Sequence, residues 1–142
     1  MDYEISRLSE SLVYIRWLQT PSLNSASERQ YLVDVTKLLD EASTPQYFVS
    51  DLRYGRIVTV TILRRLGGLT KHANWGGSTA FSSNPVTSIM VGFFSRFAHK
   101  ERPQDEIWNT PEEALAYLES IQPNITADLD WNAILDSTST GA

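Results

Sequence analysis

Apolar positions recur with two different periods along this chain, and the period predicts the element. Tyr3 and Ile5 alternate with polar residues, and Leu12-Val13-Tyr14-Ile15-Arg16-Trp17 is a β-branched and aromatic run. Ser9-Glu10-Ser11 between them has turn composition, so the two runs predict a hairpin or meander. A helix follows. Ser25 and Glu28 have capping-box spacing, and Tyr31, Leu32, Val35, Leu38, Leu39 and Ala42 recur every three or four residues on one face. Ser43-Thr44-Pro45 ends it, because proline cannot continue a helix and biases its predecessor to extended geometry.

Tyr47–Leu52 is apolar and closes in polar residues, the pattern of a buried central parallel strand. Residues 57–72 predict a second helix with Val58, Ile62, Leu66 and Leu69 on one face, broken or ended by Gly67-Gly68. Gly76-Gly77 reads as a tight turn and residues 78–82 as the next strand. Asn84-Pro85 then starts a helix carrying Val86, Ile89, Met90, Phe93, Phe94 and Phe97. Ile107-Trp108 is a brief strand. Thr110-Pro111-Glu112-Glu113 combines a capping box with proline at the first helical position, ahead of Ala114, Leu115, Leu118 and Ile121. Beyond Pro123, residues 128–135 predict a short helix and residues 137–142 a disordered tail. The expectation is one α/β domain over residues 1–122, with residues 123–142 as a C-terminal extension. Its sheet is mixed and mainly parallel, with four or five strands, right-handed crossovers and about four packed helices.

Composition agrees with that scale. The chain has 142 residues, 42% of them hydrophobic, enough for one core without a metal or disulfide staple. It has no cysteine, which removes thiolate metal sites, iron–sulfur ligation and thiol nucleophiles. The opening Met-Asp-Tyr-Glu-Ile lacks the apolar stretch of a signal peptide, so a cytoplasmic location is expected.

The net charge of −5 conceals three blocks. Residues 1–52 hold eight acids and four bases; residues 53–102 hold eight bases and one acid; residues 103–142 hold eight acids and no lysine or arginine. An acidic chain is a poor general nucleic-acid binder, whereas its basic middle could meet an acidic protein or an anionic small ligand. Residues 73–95 carry no charge, yet Asn74, Gly76, Gly77, Ser82, Ser83, Asn84 and Pro85 exclude a membrane span.

Residue chemistry alone names no reaction. His72 and His99 sit at predicted helix ends beside lysine, where a cation suits the dipole, and neither has a metal-ligand partner four residues on. Asp40-Glu41, Asp105-Glu106 and Glu112-Glu113 read as helix-end chemistry. No nucleophile elbow or phosphate loop occurs, so no catalytic residue, metal or cofactor is expected. Asn74 and Trp75 are candidate ligand contacts in an aromatic–glycine turn. The stronger candidates follow from topology, because ligands and partners of open parallel sheets sit beyond the carboxyl ends of strands. That rim carries Arg53, Tyr54, Gly55 and Arg56 after one strand and Ser82, Ser83 and Asn84 after the next. The arginines are expected to stand exposed, and two helix N-termini near Val58 and Pro85 would favour anions there.

From Tyr3 to Ser120 the pattern resembles the STAS domains, in particular the SpoIIAA-like branch named for an anti-sigma-factor antagonist. The resemblance is carried by the strand pair, the long helix, Tyr47-Phe48-Val49-Ser50-Asp51-Leu52-Arg53, and the closing Glu106-Ile107-Trp108-Asn109-Thr110-Pro111-Glu112-Glu113-Ala114-Leu115-Ala116-Tyr117-Leu118. It implies a non-enzymatic regulatory module that binds a protein partner, with nucleotides or lipids bound by some members; a homodimer is a separate expectation for this chain. Phosphoregulated antagonists present a serine at the helix start after the central strand. Arg53-Tyr54-Gly55-Arg56-Ile57-Val58-Thr59 has no serine, and Thr59 is expected inside a helix turn and unmodified. The alternative is a small apolar-ligand or lipid carrier with the Phe93/Phe94/Phe97 helix as a pocket wall.

Overall fold

The computed structural model describes residues 2–82 and 107–136. Over these residues the chain is α/β, with a four-stranded mixed sheet and four helices. The elements are β1 (Tyr3–Arg7), β2 (Leu12–Trp17), α1 (Ala26–Asp40), β3 (Gln46–Asp51), α2 (Val60–Leu69), β4 (Trp75–Phe81), α3 (Pro111–Ile121) and α4 (Trp131–Asp136). The strand order is β1-β2-β3-β4: β1 runs antiparallel to β2, and the remaining pairs are parallel. Trp108 adds a single parallel bridge to Phe81 where a brief strand was expected. Ser83, Asn84, Phe93, Phe94, Phe97, His99, Asp105-Glu106 and the tail 137–142 lie outside the described residues.

Both sheet faces are covered, which explains why every residue of β2 is buried. Val13, Ile15, Trp17 and Phe48 face α1 and α2, meeting Tyr31, Val35, Leu39, Ile62 and Leu63. Leu12, Tyr14, Tyr47, Val49 and Phe81 face the other way, against Ala114 and Leu118 of α3. β3 lies between two partners and is the buried central strand that its composition predicts. The Ser25–Glu28 box closes the start of α1 in both directions, and Thr110 accepts the Glu113 N–H at the start of α3.

Two expectations are corrected by the packing. Gly76 and Gly77 are not a turn; they lie inside β4, which therefore starts at Trp75. A Cβ on Gly76 would stand 2.5 Å from the Tyr47 ring, and the β3–β4 register slips at Gln46/Tyr47. The glycines mark a bulge and a close approach, the uses glycine has inside a strand. α2 begins at Val60 and runs through Gly67-Gly68 to Leu69. Gly67 is buried and Gly68 faces open space, so packing along the Ile62 and Leu63 face carries the helix past its weak residues.

Candidate functional site

The rim at the carboxyl ends of β2 and β3 is built from two loops that pin one another. Residues 18–25 lead into α1 and residues 52–59 lead into α2. A Cβ on Gly55 would stand 2.2 Å from the main-chain carbon of Gln19, so the loops touch backbone to backbone. The Arg56 N–H donates to Thr20 Oγ1 at 3.2 Å, and the Asn24 N–H to Thr59 Oγ1 at 2.8 Å. Thr59 Oγ1 in turn donates to Glu28 Oε1 at 2.5 Å, and Glu28 is completely buried. Asn24 adopts φ 52°, a left-handed turn that asparagine tolerates. From this pinned frame Leu23, Tyr54 and Val60 project into solvent at 69, 57 and 40% exposure.

Thr59 is not inside a helix turn. It is the N-cap of α2, and its hydroxyl is spent on Glu28 instead of its own helix.

Behind the rim lies a charge cluster on the sheet face that carries α3 and α4. Arg16 and Asp51 are register partners on β2 and β3, so both point to that face with Tyr14. Asp51 is fully buried and its two oxygens take five donors. Oδ1 accepts the Arg53 N–H at 3.1 Å and Arg53 Nε at 3.0 Å. Oδ2 accepts Tyr14 Oη at 2.7 Å, Arg16 Nε at 3.0 Å and Arg53 Nη2 at 2.8 Å. Burial pushes the Asp51 carboxyl up, but hydrogen bonds from Arg53 and Tyr14 and the Arg53 charge outweigh it and hold the pKa below the ordinary carboxylate value. Arg53 moves upward, chiefly through its hydrogen bonds to Asp51.

Arg53 was expected to stand free on the rim, and the structure corrects that. Its side chain is 28% exposed, fixed side-on to Asp51, and its Nη2 also donates to Leu135 O at 2.8 Å. Its guanidinium stands 5.3 Å from the Tyr54 ring centroid and 5.4 Å from that of Phe81. Arg56 is half-buried, and its Nε is buried with no hydrogen-bond partner among the described residues. It borders a cavity of about 120 Å³ between the sheet and the two helices, with Trp17, Tyr31, Phe48 and Trp75 among its walls.

The other expected contacts are elsewhere. Ser82 is buried, and its N–H bonds Trp108 O at 2.9 Å. Asn74 and Trp75 sit at the opposite end of β4 from the rim. There the Asn74 amide donates to Leu39 O and Ala42 O, capping α1, and Trp75 stacks on Phe48 with centroids 5.1 Å apart. His72 Nε2 meets Asp40 Oδ1 at 2.8 Å and its Nδ1 accepts the Asn74 N–H, a structural bridge. Among the described residues no group of three or more metal-ligating side chains occurs, and no helix is long and apolar enough to cross a membrane. Sequence reading passed over Arg16 and Glu28. The available signal was a charge inside the apolar run of β2 and a carboxylate doubling as a capping residue.

No known family model matches this sequence, and no curated protein does. Among solved structures, the anti-sigma factor antagonist SpoIIAA in its unphosphorylated form superposes with a TM-score of 0.57, covering 83% of this chain and 96% of that one. The chain has the SpoIIAA fold. Sequence identity is 12%, so the likeness is one of architecture. The SpoIIAA fold is the one that the strand–helix pattern and its resemblance predicted.

Proposed function

We propose that this chain is a non-enzymatic regulatory module that docks a protein partner on the rim formed by Leu23, Tyr54, Arg56 and Val60. The observation that carries the reading is three exposed apolar side chains, two on loops and one at the start of α2, on a frame locked together by Gly55, Thr20, Asn24 and Thr59. Exposed apolar groups on a rigid frame bind with little ordering entropy to lose. The SpoIIAA fold supports a regulatory role, since SpoIIAA is an anti-sigma factor antagonist. Exposed Arg64, Arg65 and Lys71 follow on and after α2, so the partner's matching face is acidic.

Phosphate control through Thr59 does not belong to this reading. A phosphate on Oγ1 would add nearly two negative charges against the buried Glu28 carboxylate.

The test is affinity capture from the native host with wild type, a Tyr54→Ser/Val60→Ser variant and an Ala116→Ser control. Ala116 is exposed on α3, which packs on the sheet face opposite to α1 and α2. A partner held by wild type and control but lost by the double variant, and released as salt rises, supports the reading. Capture unchanged by the double variant refutes it.

A further inference from the structure

The end-on face of Arg53 is a fork with one tine in use. A guanidinium presents donors in a fixed plane, and a two-oxygen anion fits a pair of them. Asp51 takes the side-on pair, Nε and Nη2. The end-on pair is the second N–H of Nη2 with Nη1. Nη2 donates to one main-chain carbonyl, Leu135 O, and Nη1 has no partner among the described residues. A neutral carbonyl thus stands where a carboxylate or phosphate group would make two charge-assisted bonds of about twice the strength.

The carbonyl belongs to α4, which rests on the sheet through the half-buried Trp131, Ile134 and Leu135. This helix has six residues and none is buried. Its end is tied by Ile134 O and Leu135 O to Arg16 Nη2 and Arg53 Nη2. Trp131 adds one hydrogen bond to Thr126 O and a tilted ring contact with Tyr14, centroids 6.3 Å apart. A cavity of about 120 Å³ lies beside Ile134, lined also by Glu4, Ser6, Leu8, Tyr14 and Arg16. Among the described residues the cluster sets two arginines against one aspartate, with the negative end of the α4 dipole beside them. Glu4 lines the cavity on the Arg16 side, so an anion is received on the Arg53 side.

We propose that the outer fork of Arg53 is an oxyanion site, for a carboxylate or phosphate group, and that α4 is the releasable strap that fills it. The carbonyl wins when the site is otherwise empty because it is tethered, with an effective concentration in the millimolar range. An oxyanion above that concentration takes the fork and frees the strap, and by linkage anything that loosens the strap tightens the anion. The site adjoins the docking rim, since Arg53 stands 5.3 Å from the Tyr54 ring, but its test needs no partner and so fails or succeeds independently of the docking reading.

The experiment is amide hydrogen exchange on the full chain, comparing 132–135 with β3 in sodium phosphate, sodium acetate and sodium chloride of matched ionic strength. At roughly 10 mM phosphate, above the tether's effective concentration, exchange in 132–135 should rise about tenfold while β3 stays protected. Acetate acting alone assigns the fork to carboxylates, and phosphate acting alone to phosphate groups. Trp131→Ala should open α4 without anion and respond at lower phosphate. Arg53→Lys keeps the charge, loses the fork and should lose the response, with β3 amides reporting any global opening. Equal effects of all three salts, a full response in Arg53→Lys, or 132–135 exchanging as slowly as β3 would overturn the proposal.

Discussion

Truncating Arg53 to alanine separates a structural arginine from a merely exposed one. The change removes two side-chain bonds to Asp51, at 3.0 and 2.8 Å, and the bond to Leu135 O. Asp51 keeps the residue-53 N–H, Tyr14 Oη and Arg16 Nε, so it is not stranded. The penalty of a fully broken buried pair, about 3–5 kcal/mol, therefore does not apply. Loss of charged hydrogen bonds sets the scale at roughly 1.5–3 kcal/mol, and screening at 28% exposure brings the expectation to about 2 kcal/mol. For a chain of this size that lowers Tm by about 6–10 °C. Arg53→Lys should recover little of it, because an ammonium cannot present the parallel pair that Asp51 accepts. Thermal unfolding followed by circular dichroism, with a guanidinium series for the slope, measures both. Arg16→Ala should cost about 2–3 kcal/mol, since its bond to Asp51 is buried and unscreened while Asp51 keeps Arg53 and Tyr14. An Arg53→Ala protein melting within about 2 °C of wild type would refute the assignment, because charged bonds of this strength cannot be lost so quietly.

Gly76→Ala should lower stability by about 1–3 kcal/mol through its clash with Tyr47, while Gly68→Ala, with open space around it, should raise stability by about 0.5–1 kcal/mol; chemical denaturation reads both. Thr59→Val removes the donor to buried Glu28 and should lose about 1–3 kcal/mol in the same assay, and phosphopeptide mapping from the native host should find Thr59 unmodified. Because the Asp51 pKa is depressed on folding, its contribution is present above the unfolded value of about 3.9 and lost as pH falls through the folded value; Tm measured from pH 6 downward should fall below about pH 4, and less steeply in Arg53→Ala.

The elements legible in the sequence are those whose partners are uniform. β2, α1 and β3 face apolar surfaces along their whole length, so period and composition determine them, and the Ser25–Glu28 box is local. The β4 start was not legible, since the reason for two glycines there is the Tyr47 ring, nearly 30 positions away in the chain. The same holds at the rim. Arg53 and Arg56 look alike in sequence, but Arg53 turns inward onto Asp51 two residues back, a carboxylate whose full burial beside Arg16 depends on the β2–β3 register. Thr59 becomes a cap whose hydroxyl looks outward because α1 offers it a carboxylate. Chemistry that depends on sheet register or on a second helix leaves no local mark.

The β2–β3 pairing also imposes an order in time. β1 and β2 are joined by a short turn and can pair as soon as both exist, but Leu12 must wait for Tyr47. During synthesis at about 5–20 residues per second, the free edge of β2 precedes its partner by roughly 2–7 s. That edge is Leu-Val-Tyr-Ile-Arg-Trp, apolar and β-prone, the composition that joins strands of neighbouring chains. Arg16 is its only charge, and before Asp51 has been made it has not yet gained its buried ion pair and stands as a cation in the most adhesive segment of the nascent chain. The residue that later locks the sheet thus first serves as a gatekeeper that keeps growing chains apart.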